Sequence, residues 1–137
     1  MVVFEFKINS NFFAVKKTIL ETIEKLEKFK FSKEQLFDIR LSLNEALVNA
    51  LKHGNKFDPK KYIYLKIYVF PKKIEIEVKD EGKGFNYKKI PLPTKEKNIE
   101  KLSGRGIFLI KTLMDKVEFF DGGKTIKMVK LLQKEEK

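Results

Sequence analysis

At 137 residues the chain has room for one ordinary domain and not for two independent cores. With 42% hydrophobic and 36% charged residues, it is too apolar for disorder and too often interrupted by charge for a run of about 18 apolar residues to cross a bilayer. No cysteine and a single histidine exclude disulfides, thiolate metal sites and imidazole clusters, while 30 basic against 19 acidic residues, a net +11, raise the question of an acidic partner.

The first ten residues, MVVFEFKINS, lack a basic segment followed by a long apolar stretch, so no signal peptide is expected and the cytoplasm is the default location. Residues 2 to 8 alternate Val2, Phe4, Phe6 and Ile8 against Val3, Glu5 and Lys7, which is strand periodicity. Ser10 or Asn11 then offers an N-cap. Phe12, Val15, Ile19, Ile23 and Leu26 recur every three or four residues and predict an amphipathic helix over 11 to 29. Ser32 and Gln35 have capping-box spacing and open a second helix, whose apolar run ends at Gly54, a suitable exit residue.

Residues 62 to 70 and 74 to 79 put Ile63, Leu65, Ile67, Val69, Ile74, Ile76 and Val78 on one face, and tyrosines, lysines and glutamates on the other. That pattern fits a sheet covered by helices on one side and wet on the other, typical of antiparallel pairing. Residues 86 to 104 form a long Lys- and Pro-rich stretch of the kind that serves as a lid or stays disordered. A helix from about Arg105 to Asp115 follows, then VEFF, a turn at Asp121-Gly122-Gly123 and a last strand from Thr125 to Leu131. The tail QKEEK is expected to fray.

Three segments can carry chemistry. On the second helix, Glu45, Asn49 and His53 fall within about 80° of one another at about 100° per residue, with Ser42 between them. Leu43, Ala46, Leu47, Ala50 and Leu51 cover the opposite side. A narrow stripe of carboxylate and carboxamide, with no lysine until its end, suits a cleft wall better than open solvent. Such a pair can orient a nucleophile and give one oxygen to Mg²⁺, a cation that otherwise keeps waters and phosphate oxygens. His53 itself reads as a cation at the helix C-terminal dipole rather than a catalytic group.

The second segment, Val78-Lys79-Asp80-Glu81-Gly82-Lys83-Gly84-Phe85, ends an apolar strand in an aspartate placed to accept hydrogen bonds from an amino group, with glycines that let backbone approach a ligand. The third, Ser103-Gly104-Arg105-Gly106-Ile107, is a glycine pair at a helix start, where free amides and a guanidinium can hold phosphate. It matches neither a P-loop nor a dinucleotide fingerprint, since no GxxxxGK[ST] exists and no strand directly precedes it.

ExxxN on a helix, DxGxG after a strand and GxG before a helix, in that order, are together far more specific than any one. They resemble the three nucleotide boxes of the ATPase superfamily of DNA gyrase B, MutL and the sensor histidine kinases. NEALVNALKHGN, DEGKGF and GRGIFLIKTLMDKVEF look most like the small bacterial anti-sigma-factor serine/threonine kinases, the likeness spanning about residues 36 to 131.

The resemblance implies an α+β fold of Bergerat type: a two-layer α/β sandwich with helices on one face of a mixed, mainly antiparallel sheet, all in one domain over 1–137. It implies that Glu45 is the general base or orienting carboxylate and that Asn49 holds Mg²⁺ against ATP. Asp80 accepts the adenine amino group, Gly82 and Gly84 shape the floor, and Thr125 supports the adenine pocket. Gly104, Arg105, Gly106 and the first amides of the next helix, Ile107 among them, cradle phosphates, with 86 to 103 as a lid. The expected partners are an antagonist (anti-anti-sigma) protein as substrate and a sigma factor, with no membrane.

A second reading is a non-catalytic ATP-dependent binding module, as monomer or homodimer. A third, an RNA-binding domain using Tyr62, Tyr64, Tyr68 and the positive charge, is disfavoured because Arg40 and Arg105 are the chain's arginines and do not cluster.

Overall fold

The computed structural model describes residues 1–84 and 102–132, residues 102–105 by their backbone alone. Strand β1 (Val2–Asn9) leads into α1 (Phe12–Leu26) and α2 (Lys33–Asn49), which continues as a π-turn over Ala50–Gly54. The hairpin β2 (Tyr62–Phe70) and β3 (Lys73–Lys79) follows; then come α3 (Leu102–Leu113), β4 (Lys116–Phe120), a 3-10 turn over Asp121–Gly123 and β5 (Thr125–Leu131). Among the described residues no helix is long and apolar enough to cross a membrane.

The helix starts follow from local chemistry. Asn11 caps α1 by accepting the Ala14 N–H at 2.7 Å, whereas Ser10, the other candidate cap, is buried and donates to the Lys61 carbonyl. Ser32 and Gln35 form the expected capping box: the Ser32 hydroxyl accepts the Gln35 N–H at 3.0 Å and the Gln35 side chain accepts the Ser32 N–H at 2.8 Å.

The five strands run in the order β1-β2-β3-β5-β4. Every pairing is antiparallel, so among the described residues the mixed sheet of the expectation narrows to an antiparallel one. Register is set by burial: Phe4, Ile67, Ile76, Met128 and Val117 are successive partners across all five strands, the middle three in the core and the outer two packed against it. A one-residue slip would turn that row to solvent. At roughly 2 kcal/mol per buried large aliphatic side chain, burial outweighs the smaller differences in strand propensity.

Helix α2 is the centre of the second layer and packs against α1 on one side and α3 on the other. Ile39, Leu43, Leu47 and Leu51 are fully buried beneath it against Leu65, Ile67 and Ile76. Lys130 of β5 ties the far ends together, its ammonium donating to Asp38 of α2 at 2.9 Å and to the Leu113 carbonyl at the end of α3 at 2.7 Å. The other face of the sheet carries the tyrosine row, with Lys7 Nζ 4.3 Å from the Tyr62 ring centre and Tyr68 stacked on Phe70.

Helix α3 begins at Leu102, earlier than the expected Arg105, so Gly104, Arg105 and Gly106 lie inside its first two turns rather than ahead of it. Glycine is a weak helix former and reads as an entry signal; the packing of Gly106 explains why one is kept here inside a helix. Most of the expected lid, residues 86 to 101, lies outside the described residues.

Candidate functional site

The buried face of the sheet ends at an open cleft between α2, α3, β3 and the β4–β5 turn. Its apolar lining comes from Ala46, Ala50, Val78, Ile107, Phe119 and Ile126, and its polar groups from Asn49, His53, Asp80 and Lys124. Apolar walls with a few directed polar groups suit a flat aromatic base.

Two hydrogen bonds place Asp80. Its backbone N–H donates to the Lys124 carbonyl at 3.0 Å, anchoring it to β5, and its Oδ1 accepts the Gly82 N–H at 2.8 Å. Only 8% of the residue is exposed. Burial raises its carboxyl above the ordinary value, against the opposing pull of the Gly82 N–H and of Lys124 and Lys61. A carboxylate held in this way is an acceptor facing an apolar cleft.

Two glycines make that position possible. A Cβ on Gly54 would stand 2.8 Å from Asp80 Oδ1, and one on Gly82 would overlap the Gly54 backbone. Gly54 has no positive φ. The helical run does end at Gly54, as expected, but glycine is needed there for space rather than for a left-handed turn: it lets the aspartate approach the end of the π-turn. Gly84 does need its freedom, with φ at 81° and the Gly122 carbonyl where a side chain would begin.

The polar stripe of α2 meets α3 at Gly106. A Cβ there would lie 2.7 Å from Glu45 Oε1 and 3.2 Å from Asn49 Nδ2. The missing side chain brings the α3 backbone against the carboxylate and the carboxamide together. Asn49 lines the cleft, and Glu45 stands one turn before it beside Gly106. Ser42 does not share this surface; it is fully buried and its hydroxyl has no hydrogen-bond partner among the described residues.

Asn49, Asp80, Gly84 and Ile107 thus line one cleft, and Glu45, Gly82 and Gly106 pack at its edges. Gly104 and Arg105 lie in the first turn of α3, where helical amides lack intrahelical partners. Thr125 is different. It is 2% exposed and its hydroxyl donates to Asp121 Oδ2 at 2.7 Å, so it braces the turn that presents Lys124 rather than lining the cleft.

At His53 the sequence predicts a cation at a helix end. The histidine lines the cleft, and burial together with Lys52 and Lys56 lowers its pKa, which favours the neutral imidazole. Burial first, and then the two neighbouring lysines, act there against the helix macrodipole. The π-turn that carries His53 closes with the Asn55 N–H donating to the Ala50 carbonyl at 2.7 Å. Such wide turns recur at functional sites, and nothing in the spacing of apolar residues announces them.

A family model for the histidine kinase-like ATPase domain matches residues 13–130. The chain belongs to the histidine kinase-like ATPase family. Within it, the serine-protein kinase RsbW of Bacillus licheniformis is 32% identical over 115 residues, covering 79% of this chain and 72% of that protein. RsbW of Staphylococcus aureus (strain JH9) is 36% identical over 112 residues, covering 75% and 70%. The crystal structure of the RsbU and RsbW domains of a Mycobacterium tuberculosis protein superposes with a TM-score of 0.68 at 14% identity. That match takes in 98% of this chain and 34% of the longer one and establishes the fold. The ATPase-type architecture expected from the three boxes is therefore the architecture observed.

Proposed function

We propose that this chain is a cytoplasmic protein kinase that binds ATP in the cleft, transfers its γ-phosphate to a serine or threonine of an antagonist protein, and binds a sigma factor. The observation that carries this reading is the approach of Gly106 to Glu45 and Asn49 beside the cleft that Asn49 and Asp80 both line. It is supported by kinship with the serine-protein kinases named RsbW.

In this reading the adenine enters between Ala50, Val78 and Ile126, and its amino group donates to Asp80. Gly82 and Gly84 keep side chains out of the base's way, and Thr125 supports the pocket through the Asp121 turn. The phosphates run toward the first turns of α3, where the amides at Gly104, Arg105, Gly106 and Ile107 and the Arg105 guanidinium neutralise charge. Asn49 fits a Mg²⁺ ion: it offers a neutral carboxamide oxygen, and a cation held chiefly by phosphate oxygens and water requires no cluster of protein carboxylates. Bound there, Mg²⁺ would neutralise charge on the triphosphate.

Glu45 accepts the proton of the incoming hydroxyl as its oxygen bonds to the γ-phosphorus. The bond from phosphorus to the β–γ bridging oxygen breaks and ADP leaves. Positioning and charge neutralisation are what this transfer needs, and the stripe on α2 with the backbone of α3 supplies both.

The test is a transfer assay with labelled ATP and a candidate antagonist protein. Glu45→Ala should keep nucleotide affinity while transfer falls by about 10²-fold or more, in line with loss of a general base. Undiminished transfer would contradict the role of Glu45. Nucleotide binding by the unaltered chain without transfer to any antagonist would instead support a regulatory binding module.

A further inference from the structure

Asn55 is 1% exposed, lies just beyond the π-turn and takes no part in the mechanism above. Its side chain is nevertheless the most connected polar group described near the cleft. Nδ2 donates to Ser10 Oγ at 3.0 Å and to the Tyr62 carbonyl at 3.0 Å, and Oδ1 accepts the Glu81 N–H at 2.7 Å. The orientation of the amide is fixed by chemistry, because the Glu81 N–H can only donate and the Tyr62 carbonyl can only accept. Three segments distant in sequence therefore converge on one carboxamide: the end of β1, the start of β2 and the loop that carries Asp80.

The Glu81 bond matters most, since the peptide N–H it holds immediately follows Asp80. Asp80 is thereby clamped on both sides, by its own N–H to Lys124 just before β5 and by the next N–H to Asn55 just beyond the π-turn. Glu81 reinforces the clamp, its carboxylate accepting the Tyr62 N–H at 2.8 Å.

We infer that Asn55 is a positioning residue for base recognition, holding the Asp80 carboxylate at the depth that distinguishes an amino-purine edge from a carbonyl one. This inference rests on the reading of Asp80 as the adenine acceptor. Asn55 touches no ligand in this scheme; it acts on specificity through the Glu81 peptide. At this part-buried bond, whose acceptor Asn55 is itself buried, an N–H left without its partner shifts the loop toward another acceptor.

The experiment is a calorimetric titration of the full chain and its variants with MgADP and MgGDP, alongside thermal melts. The unaltered chain should prefer adenine, and Asp80→Asn should erode that preference. Asn55→Ala should reduce the adenine-to-guanine ratio by about threefold or more, the scale of one lost hydrogen bond. Ser10→Ala removes one acceptor of Nδ2 and leaves the Glu81 bond, so it should lower the melting temperature without moving the ratio. Asn55→Asp, which can still accept from Glu81 but cannot donate to Tyr62, covers the case in which the alanine variant fails to fold, and should retain more of the preference than Asp80→Asn does.

An Asn55 variant that melts early yet keeps the full purine ratio would overturn the positioning role while leaving the nucleotide site intact. No adenine binding by the unaltered chain would overturn the site reading and this role with it.

Discussion

Gly54 and Asp80 are in contact through the absence of a side chain: a methyl group on Gly54 would stand 2.8 Å from Asp80 Oδ1, inside van der Waals distance. Asp80 cannot simply swing away, because Oδ1 is bonded to Gly82 and both flanking N–H groups are bonded to other segments. Gly54→Ala should therefore destabilise the fold by about 1–3 kcal/mol, the usual cost of overpacking. It should also weaken adenine-nucleotide binding. Denaturant melts and a binding titration check both, and a variant of unchanged stability and affinity would contradict the contact.

Gly106 presents the converse case. Its neighbour Glu45 Oε1 is the far end of a flexible side chain, so Gly106→Ala can be accommodated by moving that carboxylate. The melting temperature should change little. Phosphotransfer should fall by up to about 10²-fold, as expected for a catalytic group misplaced by about 1 Å. A fall in stability with transfer intact would reverse the argument.

Asp80 gives a pH signature whose sign is fixed by burial. Burial raises its carboxyl above the ordinary value, so between the unfolded and the native pKa the folded chain binds a proton that the unfolded chain releases. The contribution of this group to stability is then fullest below the unfolded pKa and is lost as pH rises through the raised native value. Asp80→Asn, which keeps an oxygen for the Gly82 N–H, should melt at or above the parent temperature at pH 7, and its advantage should shrink toward pH 4. Melts at the two pH values decide this. A variant that melts clearly lower at pH 7 contradicts the stated cause of the shift.

Lys130 holds α2, the end of α3 and β5 together through Asp38 and the Leu113 carbonyl. Both side chains of the pair are only 15% exposed. Lys130→Ala leaves a mostly buried carboxylate and a helix-end carbonyl unsatisfied and should cost about 2 kcal/mol. Because it lies at the opposite end of α3 from Gly106, nucleotide affinity below the melting transition should be unchanged.

Much of this architecture is legible in the sequence because burial is periodic. The alternation in β1, β2 and β3 and the Ser32–Gln35 capping box appear in the structure as read. Asn49, Asp80, Gly84 and Ile107 were readable as site candidates because three spaced motifs named them, and they line one cleft. What periodicity cannot carry is contact between distant segments. The true constraint on Gly54 lies 26 residues away at Asp80, and the partners of Asn55 lie at Ser10 and Glu81. The charge expected at His53 differs because burial, and after it two lysine neighbours, act against the helix dipole, and Ser42 differs because a helical wheel does not say how deep a stripe is buried.

The most direct measurement is a calorimetric titration of the chain with MgADP, repeated on Asn49→Ala and Asp80→Asn. The expected result is saturable binding to the unaltered chain, weakened by Asn49→Ala only when magnesium is present and stripped of its adenine preference by Asp80→Asn. Absence of heat with the folded, unaltered chain, or identical isotherms for all three proteins, would contradict the convergence of these segments on one nucleotide.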